Sequence, residues 1–345
     1  MQQFINGVLY DLSQPAVWSI PWEVHIGGAD RTGILRPYLI DISVTDKAGI
    51  TSDACSLTID DTDGQIRLDM EGLDISVILK GYEVFSGVIE NARSTGSRGG
   101  GRLIPVSAKG FDTRGKAKEI QSFHKDDATL GEFLEQAAKN AGYSIRLDPA
   151  LANIKAPYWA AHGESFLDIG ERMAREIHGT FKLRGNQAVL VKRGSSSLPS
   201  VDAIVADTGG NVINWDIAPF TGRGVWKKAK SRYFDRKAAK WIEEEIEIDA
   251  GDDAPDSANV IRLPSADKDQ AQRRIKGRKG EAKREKGGGN ILLDLAPQAQ
   301  AESILNLSGA KPDIDGPWRM ESVNHRANRS GGSTTAAELK EPGAK

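Results

Sequence analysis

From Trp22 to Gly110 apolar and polar residues alternate with a period of two, through WEVHIGG, YLIDISVTD, ACSLTIDD, LDISVILKG, EVFSGVIENARS and RLIPVSAKG. Alternation of this kind puts every second side chain on one face of a strand, so about six short strands are expected, enough for a barrel or a sandwich. Gly- and Asp-rich turns separate them. Lys80-Gly81-Tyr82-Glu83 is expected to be a hairpin turn, and Gly99-Gly100-Gly101 a loop before the last strand.

Between Phe111 and Gly194 the period changes to that of helices. Thr129 followed by Glu132 forms a capping box, and Leu130, Phe133, Leu134, Ala137 and Ala138 fall on one face, so a helix is expected to run from there to Gly142. A second start signal stands at Ser165 and Asp168. Phe166, Ile169, Met173 and Ile177 make its apolar stripe, with Gly179 as the expected C-cap. A hairpin follows over Thr180–Val191, turning at Gly185-Asn186.

Ser195, Ser196, Ser197 and Pro199 make a polar link, after which strands are expected to resume at about Val212. The expected domains are therefore residues 1–111, 112–195 and 196–345. The last contains NILLDLA, ILNLSG, GPWRMESVNHRAN and TTAAELKE as further strand-like pieces. Phe85, Asn91 and Arg93 share their spacing with Trp318, Asn324 and Arg326, an echo that would make the two β regions copies of one unit.

Charge divides sharply within the last region. Residues 221–240 carry eight Lys or Arg and one Asp, whereas residues 241–257 carry eight acids and no base, a distribution that fits a hairpin. Pairing Phe234 with Trp241 sets Lys228 opposite Glu247, Lys230 opposite Glu245 and Arg232 opposite Glu243, each pair contributing roughly 0.2 to 1 kcal/mol. A salt-laced outer face is preferred to a ligand-facing basic strip, because the acids already answer the bases. A basic helix is expected at about 264–287. Residues 266–286 hold nine bases and four acids, Ala271, Ile275 and Ala282 form a narrow apolar stripe, and Gly277 and Gly280 weaken the helix. Such a helix is either solvated or docked by its thin edge on a neighbouring subunit or partner, and Arg273, Arg274, Lys276, Arg278 and Lys279 are the candidate partner-facing residues.

Three stretches carry a family resemblance. TLGEFLEQAAKNAGY with HGESFLDIGERMAREIHGTFKLRGNQAVLV, then ADKDQAQRRIKGRKGEA, then IDGPWRMESVNHR together resemble the late control protein D family of phages, the baseplate hubs of contractile tails, related to the T-even phage hub and the VgrG base. The resemblance implies an α+β, mainly β fold with two tube-like antiparallel β-barrels flanking a middle domain of two helices and a hairpin. It implies a homotrimer whose six barrels form a pseudo-sixfold ring, joining a sixfold tail tube to a threefold spike. Tail spike, tube or tube-initiator and tape measure proteins would be its partners, and the channel would pass DNA transiently. The implied place is the tail baseplate of a virion or tailocin, assembled in the host cytoplasm.

Composition adds bounds rather than chemistry. The 345 residues, 39% hydrophobic and 27% charged, can build two or three cored domains, and a net charge of −2 is not that of a dedicated DNA binder. The N-terminus lacks the basic and apolar regions of a signal peptide, and no stretch is long enough to span a bilayer. Cys55, the single cysteine, reads as a buried strand residue. His25, His124, His162, His178 and His325 show no zinc spacing, and Asp60, Asp61 and Asp63 fail as a calcium loop because Ile59 and Met70 occupy its acidic ends. No nucleophile elbow or phosphate loop is present, so no catalytic residue, metal ligand or cofactor is assigned. Two rival readings remain: a tail-tip cell-wall hydrolase, whose carboxylates could be brought together only by folding, and a nucleic-acid-binding late regulator resting on the five basic residues of the helix.

Overall fold

The computed structural model describes residues 2–5, 8–11, 18–49, 53–111, 115–192, 204–220, 226–235, 237–248, 257–284 and 287–342. The alternating stretch forms β1 (Trp22–Ile26), β2 (Leu39–Lys47), β3 (Ala54–Asp60), β4 (Asp74–Leu79), β5 (Tyr82–Ala92) and β6 (Gly101–Lys109). Their inward faces bury Val24, Ile42, Val44, Leu57, Ile59, Val77, Ile89, Ile104 and Val106, each of which contributes roughly 1.5 to 3 kcal/mol on leaving water. Between β4 and β5 the chain reverses through Lys80 (φ 49°) and Gly81 (φ 82°), two successive left-handed residues whose twist suits a two-residue hairpin.

The middle segment holds β7 (Ile120–Thr129), α1 (Leu130–Ala141), β8 (Ser144–Leu147), β9 (Lys155–Ser165), α2 (Phe166–Ile177), β10 (Gly179–Arg184) and β11 (Gln187–Lys192). Both capping boxes are formed: the Glu132 amide donates to Thr129 Oγ1 at 3.2 Å and the Asp168 amide to Ser165 Oγ at 3.2 Å. α1 ends on left-handed Gly142, but α2 ends on left-handed His178, so Gly179 starts the next strand instead of capping the helix. Phe133, Phe166, Phe181, Ile169 and Met173 fill one core between helices and hairpin. Two elements were not legible: the antiparallel β7–β9 ribbon, and β8, which adds to β11 in parallel.

The last segment begins with β12 (Ile204–Asp207), earlier than the strand expected at Val212, and continues with β13 (Val212–Ala218), β14 (Lys228–Asp235), β15 (Lys240–Glu247), β16 (Ala258–Val260), α3 (Lys268–Arg284), β17 (Gly288–Asp294), β18 (Ile304–Ser308), β19 (Gly316–Asn328) and β20 (Gly332–Lys340). The fold is mainly β, with large antiparallel sheets, as the sequence led one to expect. One of those sheets runs through both β regions, because β2 pairs with β19 edge to edge.

The two regions repeat one another. In the first, the strands lie in the order β2-β3-β6-β5-β4-β1; in the second, β13-β17-β20-β19-β18-β12, which is the same permutation of six strands once the inserted β14–β16 and the short strands Ala29–Asp30 and Thr95–Ser97 are set aside. Two of their irregularities coincide too, although the bulge at Val84 between β4 and β5 has no counterpart between β18 and β19. Ile40 bulges between β2 and β3 where Ile213 bulges between β13 and β17, and Glu90 is skipped between β5 and β6 where Glu321 is skipped between β19 and β20. The regions differ in that β12 joins β18 in parallel, whereas β1 joins β4 antiparallel. Because the bulges fix the alignment, Glu90 matches Glu321 and Phe85 matches Gly316. The echo of Phe85, Asn91 and Arg93 in Trp318, Asn324 and Arg326 is therefore two residues out of register, although the duplication it pointed to is present.

Candidate assembly interface

The outer face of β10 ties the middle segment to both β regions. Phe181 and Leu183 point into the middle core, so period two turns Thr180 and Lys182 the other way. Lys182 Nζ meets the buried carboxylates of Asp46, on β2, and Asp53, whose Oδ1 lies 3.1 Å away. Thr180 Oγ1 donates to Glu302 Oε1 at 3.1 Å, and Glu302 Oε2 in turn holds the buried Arg319 of β19 at 2.8 Å.

Electrostatics separate the two acids on Lys182. Burial pushes Asp53 up to about 6, with the Asp46 charge adding to that and Lys182 opposing it. Burial also works against the charge on Asp46, but Lys182 and the amide of Ala301, which donates to Asp46 Oδ2 at 2.9 Å, outweigh it and hold the carboxyl below its usual value. One lysine thus serves one committed carboxylate and one poised near neutrality.

β14 and β15 pair in the register expected from their charges, with Lys228 opposite Glu247, Lys230 opposite Glu245 and Phe234 opposite Trp241. Lys230 Nζ sits 2.8 Å from Glu243 and 3.0 Å from Glu245, and Lys228 reaches Glu245 at 3.0 Å. Arg232 lies over the Trp241 ring, 5.4 Å from its centroid. The opposite face carries Ala229, Tyr233 and Ile246 and packs on α3.

α3 is not a fully solvated helix, because its thin edge packs within the chain. Its thin stripe of Ala271, Ile275 and Ala282 is buried within the chain, against α2 and the β14–β15 ribbon. The glycines that count against it as a helix make this docking possible. A Cβ at Gly277 would lie 2.8 Å from the carbonyl oxygen of Arg175, and one at Gly280 2.3 Å from the His178 ring.

The five basic candidates divide accordingly. Arg273 and Arg274 turn inward on Glu176 of α2, at 3.7 and 3.5 Å, where Gln270 Nε2 also donates at 3.1 Å. Lys279 Nζ donates to the Glu247 carbonyl at 3.0 Å, and Arg278 pairs with Glu281 at 2.7 Å. Lys276 and Arg278 are exposed, whereas Arg273, Arg274 and Lys279 are half-buried. Glu176, only 4% exposed, is the residue that sequence reasoning missed. Its signal was there, three positions after Met173 on the apolar stripe.

Two carboxylates flanking the start of α2 are held in ion pairs: Glu164 holds Arg172 through both oxygens at 2.7 Å, and Glu171 pairs with Arg175. Among the described residues no three His, Cys, Asp or Glu stand together as a metal group, and no helix is long and apolar enough to cross a membrane.

No protein-family model matches the chain. It is 24% identical to the probable baseplate hub protein of Escherichia phage 186, over 91% of this chain and 91% of that one. It is also 24% identical to the probable baseplate hub protein of Escherichia phage P2, over 90% of each. Among solved structures, the 43 kDa tail protein of prophage MuSo2 from Shewanella oneidensis aligns with a TM-score of 0.73 at 14% identity, covering 94% of this chain and 99% of that chain, a likeness of fold. The resemblance to phage baseplate hub proteins thus extends along nine-tenths of the chain, and the fold is shared with a prophage tail protein.

Proposed function

We propose that the chain is a structural hub of a phage or tailocin tail baseplate, acting as a homotrimer. Each copy contributes two β units, so three copies present a similar surface six times round the axis while the middle segment keeps threefold spacing. The carrying observation is the repeated six-strand permutation with its paired bulges at Ile40 and Ile213 and at Glu90 and Glu321. A ring of this kind joins a sixfold tail tube to a threefold spike, and its channel passes the tape measure protein and then DNA. The hub is assembled in the host cytoplasm, and its role needs no catalytic step. The segments 1–111, 112–195 and 196–345 are its units, with the ribbon and α3 inserted in the second β unit.

This reading is favoured over a nucleic-acid-binding regulator because Arg273, Arg274 and Lys279 already have partners within the chain. It is favoured over a hydrolase because the relatives that match nine-tenths of the chain are named probable baseplate hub proteins. Native mass measurement at micromolar concentration, with and without the spike protein, tests it. A species of three chains is expected, and a chain that stays monomeric beside its spike contradicts the proposal.

A further inference from the structure

The junction between the two β units inside one chain is a template for a junction between chains. Strand β2 of the first unit lies beside β19 of the second, with Ser43 opposite Arg326, Ile42 opposite Ala327 and Asp41 opposite Asn328. The repeat assigns each partner a counterpart. β13 corresponds to β2, with Ile213 at the position of Ile40, Asn214 of Asp41, Trp215 of Ile42, Asp216 of Ser43 and Ile217 of Val44. Residues 91–97, the end of β5 and the short strand Thr95–Ser97, correspond to the second half of β19, since both return against the next strand in the same register.

Both counterparts lack the neighbour that their templates have. Among the described residues β13 ends its sheet, with β17 on one side and no strand on the other. Residues 93–97 are exposed, and among the described residues Thr95–Ser97 pair with β6 and with no other strand. Burial shows the difference most clearly. Ile42 is 0% exposed in the internal junction, whereas Trp215 at the matching place is 42% exposed, Ile213 beside it 49% and Phe220 just beyond 53%. A strand with this many open apolar side chains and an unpaired edge invites pairing with another chain.

We propose that β13 of one copy pairs with residues 91–97 of a second copy in the register of the internal junction, setting Asp216 opposite Thr95, Trp215 opposite Gly96 and Asn214 opposite Ser97. The large indole then faces a residue without a side chain, a combination that lets an aromatic cover a bare stretch of strand. Exposed Arg93 falls diagonal to exposed Asp216, which adds an opposite-charge contact on the same face. The contact is head to tail, so it propagates from copy to copy until a ring closes. It rests on the hub reading above and supplies the contact which that reading leaves open.

Thr95→Cys combined with Asp216→Cys tests it under mild oxidation on a non-reducing gel. Native Cys55 does not interfere, because it is buried and burial pushes its thiol up to about 12. Covalently linked chains are expected from this pair and not from Thr95→Cys with Trp215→Cys, since a shift of one residue puts the two thiols on opposite faces. An intact three-chain assembly with no link, or with stronger linking of the shifted pair, overturns the pairing and leaves the hub reading standing. A wild-type chain that remains monomeric beside its spike removes both. In the unsubstituted assembly the amides of residues 212–218 are expected to exchange with solvent at least tenfold more slowly than in the isolated chain, and equal rates overturn the pairing whatever the cysteine variants do.

Discussion

At Gly277 the helix α3 passes so close to α2 that a methyl group would stand 2.8 Å from the Arg175 carbonyl oxygen. In a solvated helix Gly→Ala stabilises by about 1 kcal/mol. Here backbone faces backbone, and neither helix can yield without moving Ala271, Ile275 and Ala282 off their neighbours. Gly277→Ala is therefore expected to destabilise by about 1 to 3 kcal/mol, read from the midpoint of urea unfolding. A gain in stability would show that α3 does not dock. Legibility at this scale followed periodicity. Asp46 continues the inward series Ile42 and Val44, and Glu176 continues the stripe through Met173, so both buried acids could be found by pattern. The glycine's role could not, because it depends on a neighbour about a hundred residues away in sequence.

At the scale of elements, β10 is a junction strand whose polar face does the joining through Thr180 and Lys182. Its acids make that junction pH-dependent. Asp53 binds its proton more tightly folded than unfolded, so its contribution is fully present below about pH 4 and is lost as pH rises through about 6. Asp46, held low, contributes above its unfolded value near 3.8 and loses that contribution on acidification. Asp53→Asn removes the first effect and keeps the second. Between pH 4 and 7 the wild type is expected to lose stability relative to Asp53→Asn, on the order of 1 to 3 kcal/mol, in urea midpoints taken across that range. Parallel curves would contradict this. Which elements were legible depends on whether they bury one face. The ribbon β14–β15 could be placed to the residue because its charges, its two aromatics and its alternation agree. The β7–β9 ribbon left no such trace, since most of β7 is exposed or half-buried on both faces and polar residues fill it.

For the whole molecule, duplication decides what the chain can build. Two copies of one six-strand unit are joined edge to edge within the chain, and the pairing proposed above repeats that junction between copies, β13 of one lying against residues 91–97 of the next. The sequence hinted at the repeat through three matched residues set two positions out of place. The true markers are bulges at Ile40, Ile213, Glu90 and Glu321, which are properties of pairing and invisible until strands are paired. The most direct measurement is electron microscopy of the assembled hub viewed down its axis. The account predicts rings of three chains with six similar lobes around a central channel, and three alternating peripheral masses from the middle segments. A ring of any other number of chains, or three lobes with no sixfold character, contradicts it.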